Sequence, residues 1–183
     1  MDTILDHPWT VESFLAWEDR QEGKYEFDGF ETIEMTGGTI AHQRIVGNLW
    51  ITLLRILGQR PLMPLMEMRL RAETRVRYPD VALCAGPLDQ TTRTLTDALA
   101  LFEVLSADTA TTDRVQKLMD YAVLPSLRCY VLVEQTAIAA TLFTREPNGP
   151  WTATAHTEGT LVLPGLDIEI PLAELYRGLT FAA

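Results

Sequence analysis

Residues 99–134 constrain the fold more than any other stretch of this sequence. LALFEVLS (99–106) is an apolar run of strand length whose only charged residue is Glu103. A helix-patterned segment follows over 113–124 and stops at Pro125, which cannot continue a helix. RCYVLVE (128–134) is a second apolar, β-branched run. Strand-like runs alternating with helix-patterned segments predict an α/β protein. At 183 residues and 47% apolar, the chain can bury a sizeable core. With no internal repeat and only short linker-like stretches, residues 1–183 are expected to form a single domain.

The remaining elements follow from local signals. Thr10 is a helix N-cap before VESFLAWEDR (11–20), with Ser13 where a full capping box prefers Glu or Gln, so the cap is expected to be partial. Phe14 and Trp17 share a helical face. KYEFDGFETIEM (24–35) reads as two short antiparallel strands about Asp28-Gly29. Residues 39–57 form the first long helix, with Ile45, Leu49, Leu53, Ile56 and Leu57 at helical spacing, Gly58 as C-cap and Pro61 beyond it. Residues 66–84 read as one or two strands. Over 69–77 charged residues occupy odd positions, while Leu70, Ala72, Thr74, Val76 and Tyr78 occupy even ones. Carrying that count onward places Asp80 on the apolar side, pointing inward. Residues 137–144 predict a strand, and 151–155 and 166–170 peripheral strands, with Pro171 opening a short final helix.

Charge narrows the partners. The net charge of −10, from 25 acidic and 15 basic residues, opposes non-specific attraction to polyanions and excludes a protein that coats nucleic acid or anionic membrane. It does not exclude a nuclease, because bound divalent cations reverse the local sign. Cys84 and Cys129 are too few for a zinc cluster or a disulfide scaffold. No stretch approaches the roughly 20 apolar residues that span a membrane, and residues 1–6 lack a signal-peptide pattern. A soluble, cytoplasmic protein is the expectation.

Asp80 and Glu103 are the chemical candidates. Each is a lone carboxylate in an apolar strand, and burying an unpaired charge is costly. Two such groups on neighbouring strands repel unless a proton, a cation or a metal lies between them, and hard oxygen ligands suit magnesium or manganese. The alternative is structural: Asp80 caps the chain after Pro79, and Glu103 pairs with an arginine. Asp113, Lys117 and Tyr121 share one side of the 113–124 helix, opposite an apolar side of Val115, Leu118, Met119 and Ala122. Lys117 is therefore placed to look across the end of the Glu103 strand, where an ammonium stabilises charge on a phosphate; by spacing alone the alternative, an ordinary Asp113–Lys117 helix pair, is favoured. Arg69, Arg71, Arg75 and Arg77 either track a phosphate backbone or form a solvent-facing row that Glu67 and Glu73 pair in part. His42 opens the first long helix, and no HExxH pattern, serine elbow or phosphate-binding glycine loop is present.

Several pieces together resemble the Uma family of restriction endonucleases, within the PD-(D/E)XK nuclease superfamily. They are Tyr25-Glu26 with Asp28-Gly29, His42 at the start of a long helix, and Val76 through Pro79-Asp80-Val81. Glu103-Val104-Leu105-Ser106, then Asp113-Arg114, Lys117 and Tyr121, and finally residues 158–176 around Leu163-Pro164-Gly165 complete the set. The resemblance implies a restriction-endonuclease-like α/β core, a central mixed sheet flanked by helices. It implies magnesium- or manganese-dependent hydrolysis of DNA by a homodimer, with Asp80, Glu103 and the Val104 carbonyl as metal ligands. The superfamily's lysine falls two residues after the acidic ligand, where this chain has Leu105, and the resemblance offers Lys117 instead. Glu26 completes the set as an acidic member. His42, Asp113 and Tyr121 are accessory positions. Three departures stand out: a shortened turn after Glu26, Glu134 in place of an aspartate, and Val123-Leu124 in place of a glycine-containing turn.

Overall fold

The computed structural model describes residues 9–105, 112–146 and 149–181, with the side chains of residues 112–115 left out. Helix α1 (Val11–Glu18) leads into strands β1 (Tyr25–Phe27) and β2 (Thr32–Glu34). Helix α2 (Ile40–Leu57) is followed by β3 (Leu62–Met66), β4 (Arg69–Ala72), β5 (Arg75–Arg77), β6 (Val81–Ala85) and β7 (Thr94–Leu95). Then come β8 (Ala100–Leu105), helix α3 (Thr112–Ala122), β9 (Cys129–Glu134), β10 (Ala140–Thr144) and β11 (Thr152–His156). A hairpin of β12 (Thr160–Leu163) and β13 (Ile168–Pro171) runs into the one-turn helix α4 (Leu172–Leu175).

The central sheet has six strands in the order β11-β10-β9-β8-β6-β3. It is mixed: β8 and β9 run parallel, joined through α3, and the other neighbours are antiparallel. A five-stranded sheet, β2-β1-β5-β4-β7, lies beside it. One face of the central sheet, with Val81, Leu83, Phe102, Val104, Val131 and Val133, packs under α2, α4 and the β12–β13 hairpin. The other face, with Ala82, Leu101, Leu105, Tyr130 and Leu132, packs with Tyr121 of α3 and with Leu70 and Ala72 of β4. The expected α/β core, a mixed sheet flanked by helices, is the observed architecture.

The helix signals act as chemistry dictates. Thr10 Oγ1 accepts from the Ser13 N–H at 3.1 Å and Ser13 Oγ from the Thr10 N–H at 2.9 Å. Serine therefore serves where Glu or Gln is usual, and the box is complete rather than partial. Phe14 of α1 stacks on Phe27 of β1 with ring centroids 5.2 Å apart. Thr39 caps α2, and Gly58 ends it at φ +55°.

Strand β3 lies in a stretch for which the sequence offered no reading; it contains Pro64, which fits because β3 is an edge of the central sheet. Two expectations change. The 69–77 run is not one strand but the hairpin β4–β5, turning at Glu73 in a left-handed conformation (φ +51°). Its arginines therefore do not form a solvent-facing row, since Arg69 and Arg77 are buried. On α3, Met119 is 63% exposed while Asp120 and Tyr121 are buried. The side assigned as polar turns inward, because its groups meet charged partners there.

Candidate active site

Register brings Asp80 and Glu103 together. Strand β6 pairs with β8 antiparallel, Val81 opposite Phe102. One residue further along the same register sets Asp80 opposite Glu103. Side chains alternate across a strand, so Glu103 shares the face of Leu101 and Leu105, which lies under α3. Asp80 points inward as expected, although the count across the β4–β5 turn was not a sound route to it. The register of β6 itself decides its direction.

Around this pair is a cavity of about 410 Å³, lined among others by Glu26, His42, Asp80, Glu103, Val104 and Lys117. Asp80 is held on both oxygens. Its Oδ2 accepts from the Val104 N–H at 2.6 Å, and its Oδ1 lies 3.3 Å from His42 Nε2. His42 is set by the capped start of α2, where Thr39 Oγ1 accepts from its N–H and in turn donates to Gln135 at the end of β9. The contact with Asp80 raises the His42 pKa above its usual value, against the lowering effect of burial. Its Nδ1 is buried without a hydrogen-bond partner among the described residues.

Glu103 Oε1 accepts from the Tyr121 hydroxyl at 2.8 Å and lies 3.3 Å from Lys117 Nζ. Helical spacing puts both donors on one side of α3, one turn apart. Burial pushes the Glu103 carboxyl up to about 7, Lys117 opposes the shift, and the negative charges of Asp80 and Glu26 add to it. Burial beside Glu103 likewise raises the Tyr121 hydroxyl well above its usual value. Glu26, on β1, accepts from Arg77 at 3.0 Å and from the Tyr78 N–H at 3.1 Å, and its Oε1 is 3.6 Å from Lys117 Nζ. Glu26, Asp80, Glu103, Lys117, His42 and Tyr121 thus meet in one place. The Asp113 side chain lies outside the described residues.

The four arginines have other partners. Arg69 bonds Glu18 and Asp19, and Arg71 bonds Glu12. Arg75 lies 2.7 Å from Asp120, and Arg77 bridges Asp120 and Glu26. Sequence reading missed Glu18 and Asp120, the buried acids that neutralise this row, and named Glu67 and Glu73 instead. Glu67 pairs with Lys24, and Glu73 offers Arg71 only its backbone carbonyl. The prepared partners of Arg69 and Arg77 lie 51 and 43 residues away in sequence, where no local spacing signals them.

The Uma2 family model, described as "Putative restriction endonuclease", matches residues 11–173. The chain belongs to this family. Two uncharacterized proteins of Synechocystis sp. are each 29% identical to it. The match covers 93% of this chain and 92% of one, and 69% of this chain and 75% of the other. A crystal structure of a putative nuclease from Anabaena variabilis superposes with a TM-score of 0.77 at 14% identity. It covers 92% of this chain and 97% of that one, and at that identity the likeness is one of fold. Uma2 membership places the chain in the PD-(D/E)XK restriction-endonuclease-like group that the sequence resembles. Among the described residues, no cluster of three or more His, Cys, Asp or Glu side chains has the arrangement of a metal site. No helix among them is long and apolar enough to cross a membrane.

Proposed function

We propose that this cavity hydrolyses DNA phosphodiester bonds with one magnesium or manganese ion held by Asp80, Glu103 and the Val104 carbonyl. The observation that carries the reading is the surplus of negative charge. Every arginine of the β4–β5 hairpin is taken by another acid, and among the described residues no arginine is paired with Asp80 or Glu103. Burial raises the Glu103 carboxyl first, and the negative charges of Asp80 and Glu26 add to it. The donor set fits a hard cation that keeps several waters of its own, as magnesium does, better than one needing a full protein cage. When bound, such an ion supplies Lewis-acid polarisation of the phosphate.

The chain's own residues supply the rest. Lys117 holds negative charge developing on the phosphate. Tyr121 and Lys117 fix the Glu103 carboxylate. His42 and the Val104 N–H fix Asp80. Glu26, neutralised by Arg77 and 3.6 Å from Lys117 Nζ, positions Lys117. The hairpin arginines hold the walls and do not reach phosphate. A homodimer in the cytoplasm belongs to the same proposal, and the two buried free cysteines suit a reducing compartment.

The pairing of Glu26 with Arg77, which leaves Asp80 and Glu103 as the site's acids without an arginine partner among the described residues, favours one competing reading, a module that keeps the fold and binds DNA or a protein without cutting. Cleavage of varied DNA substrates by the wild type in magnesium, beside Asp80→Ala, decides between them. Cleavage lost in the variant supports the nuclease. Equal cleavage by both proteins removes this site assignment, and binding with no turnover by either favours the module.

A further inference from the structure

The chain has two lysines, Lys24 and Lys117, and both line the cavity. They sit at different depths: the Lys117 side chain is 14% exposed and that of Lys24 46%. Lys24, just before β1, pairs with Glu67 Oε2 at 2.6 Å and lies 5.5 Å from the centre of the Tyr78 ring. Glu67 is in the left-handed region (φ +48°), where a residue other than glycine is strained. Its N–H donates to the Asp80 carbonyl at 3.2 Å. The strained backbone thus ties the counter-ion of Lys24 directly to a residue of the reacting centre.

We propose that Lys24 is a second phosphate-binding cation, held at the mouth by Glu67 until a polynucleotide strand displaces that carboxylate. This rests on the nuclease reading above and extends it to the strand beyond the scissile bond. A half-exposed ion pair is a weak contact, so its exchange for a phosphate costs little. The ring of Tyr78 and the Glu67 carboxylate keep the ammonium aimed over the cavity. Lysine suits this exchange: it is a compact charge on a flexible stem, whereas the buried pairs of Arg69 and Arg77 use the rigid arginine fork.

The two members of the pair are then expected to act in opposite directions on binding. The test is anisotropy of a labelled DNA duplex in calcium over a range of salt, with magnesium-dependent cleavage and thermal unfolding measured on the same proteins. Lys24→Ala is expected to weaken binding about fivefold, the upper end for a half-exposed charge contact. It should also lower the salt slope by about 1, and Lys24→Arg should restore both. Glu67→Gln is expected to tighten binding by removing the competing carboxylate. If the pair is only a brace, both variants lose thermal stability together and neither changes the salt slope, which overturns the proposal. If the wild type cuts DNA while Lys24→Ala keeps its KM and slope, Lys24 alone is wrong. If the wild type neither binds nor cuts, the nuclease reading falls, and this inference with it.

Discussion

Glu103 should make the metal-free protein less stable as pH rises. Its carboxyl is pushed from the usual 4.5 up to about 7. Between those values the folded state holds a proton that the unfolded chain has released. Stability therefore falls as pH climbs from about 4.5 through about 7 and levels off above. At about 1.4 kcal/mol per pH unit, the swing is about 3 kcal/mol. The perturbation that isolates it is Glu103→Gln, which keeps an acceptor for Tyr121 and removes the titration. Denaturant unfolding of both proteins in a chelator, at steps from pH 4 to pH 8, gives the difference directly. The wild type should lose about 3 kcal/mol relative to the variant over that range, and magnesium at pH 8 should return part of it to the wild type alone. Two stability profiles that stay parallel would refute the reasoning, because Glu103 would then carry no strained charge for a cation to relieve.

Gly38 stands where a Cβ would lie 2.7 Å from His42 Nδ1. Gly38→Ala should push the imidazole off Asp80 and return its pKa toward the usual 6.5, read by NMR titration of the histidines. Arg77→Met leaves Glu26 and Asp120 buried without their shared cation and should cost about 3–5 kcal/mol in denaturant unfolding; a loss under 1 kcal/mol would show that the network is not buried in solution. The cavity lining carries Glu26, Glu34, Glu67, Asp80 and Glu103 against Lys24 and Lys117. DNA affinity should therefore rise steeply with divalent cation, and equal affinity in a chelator would contradict the charge argument.

Where a local rule carries the structure, the sequence is readable. Thr39 and Gly58 bracket α2 because capping and a positive φ are demands of single residues. Glu103 stands out because nothing else in its strand is charged. The hairpin turn at Glu73 left no such mark: a glutamate at φ +51° breaks the usual turn chemistry, so two strands read as one. On α3 the spacing put Lys117 and Tyr121 on one side, which does face the Glu103 strand. Asp120 carried no local mark, because the arginines it neutralises come from the distant strand β5. Lys117 itself became a candidate through family resemblance, since its spacing from Asp113 fits any surface helix.

On the proposed nuclease reading, the division of labour between the two kinds of cation accounts for a phosphate site in an acidic chain. Arg69 and Arg77 are spent on buried carboxylates, as planar forks that hold α1, β1, β5 and α3 together. That spending leaves Asp80 and Glu103 without a guanidinium partner among the described residues, and the two arginines themselves do not line the cavity. Had the hairpin arginines faced inward between those two acids, the site would be neutral, rigid and inert. With them turned toward Glu18, Asp19 and Asp120, the remaining charge imbalance sits where β6 and β8 meet, beside Lys117 and Lys24, the two lysines that line the cavity. The chemistry of the cavity is thus set largely by ion pairs outside it, and changes in the network around Asp120 should reach Lys117 through Glu26.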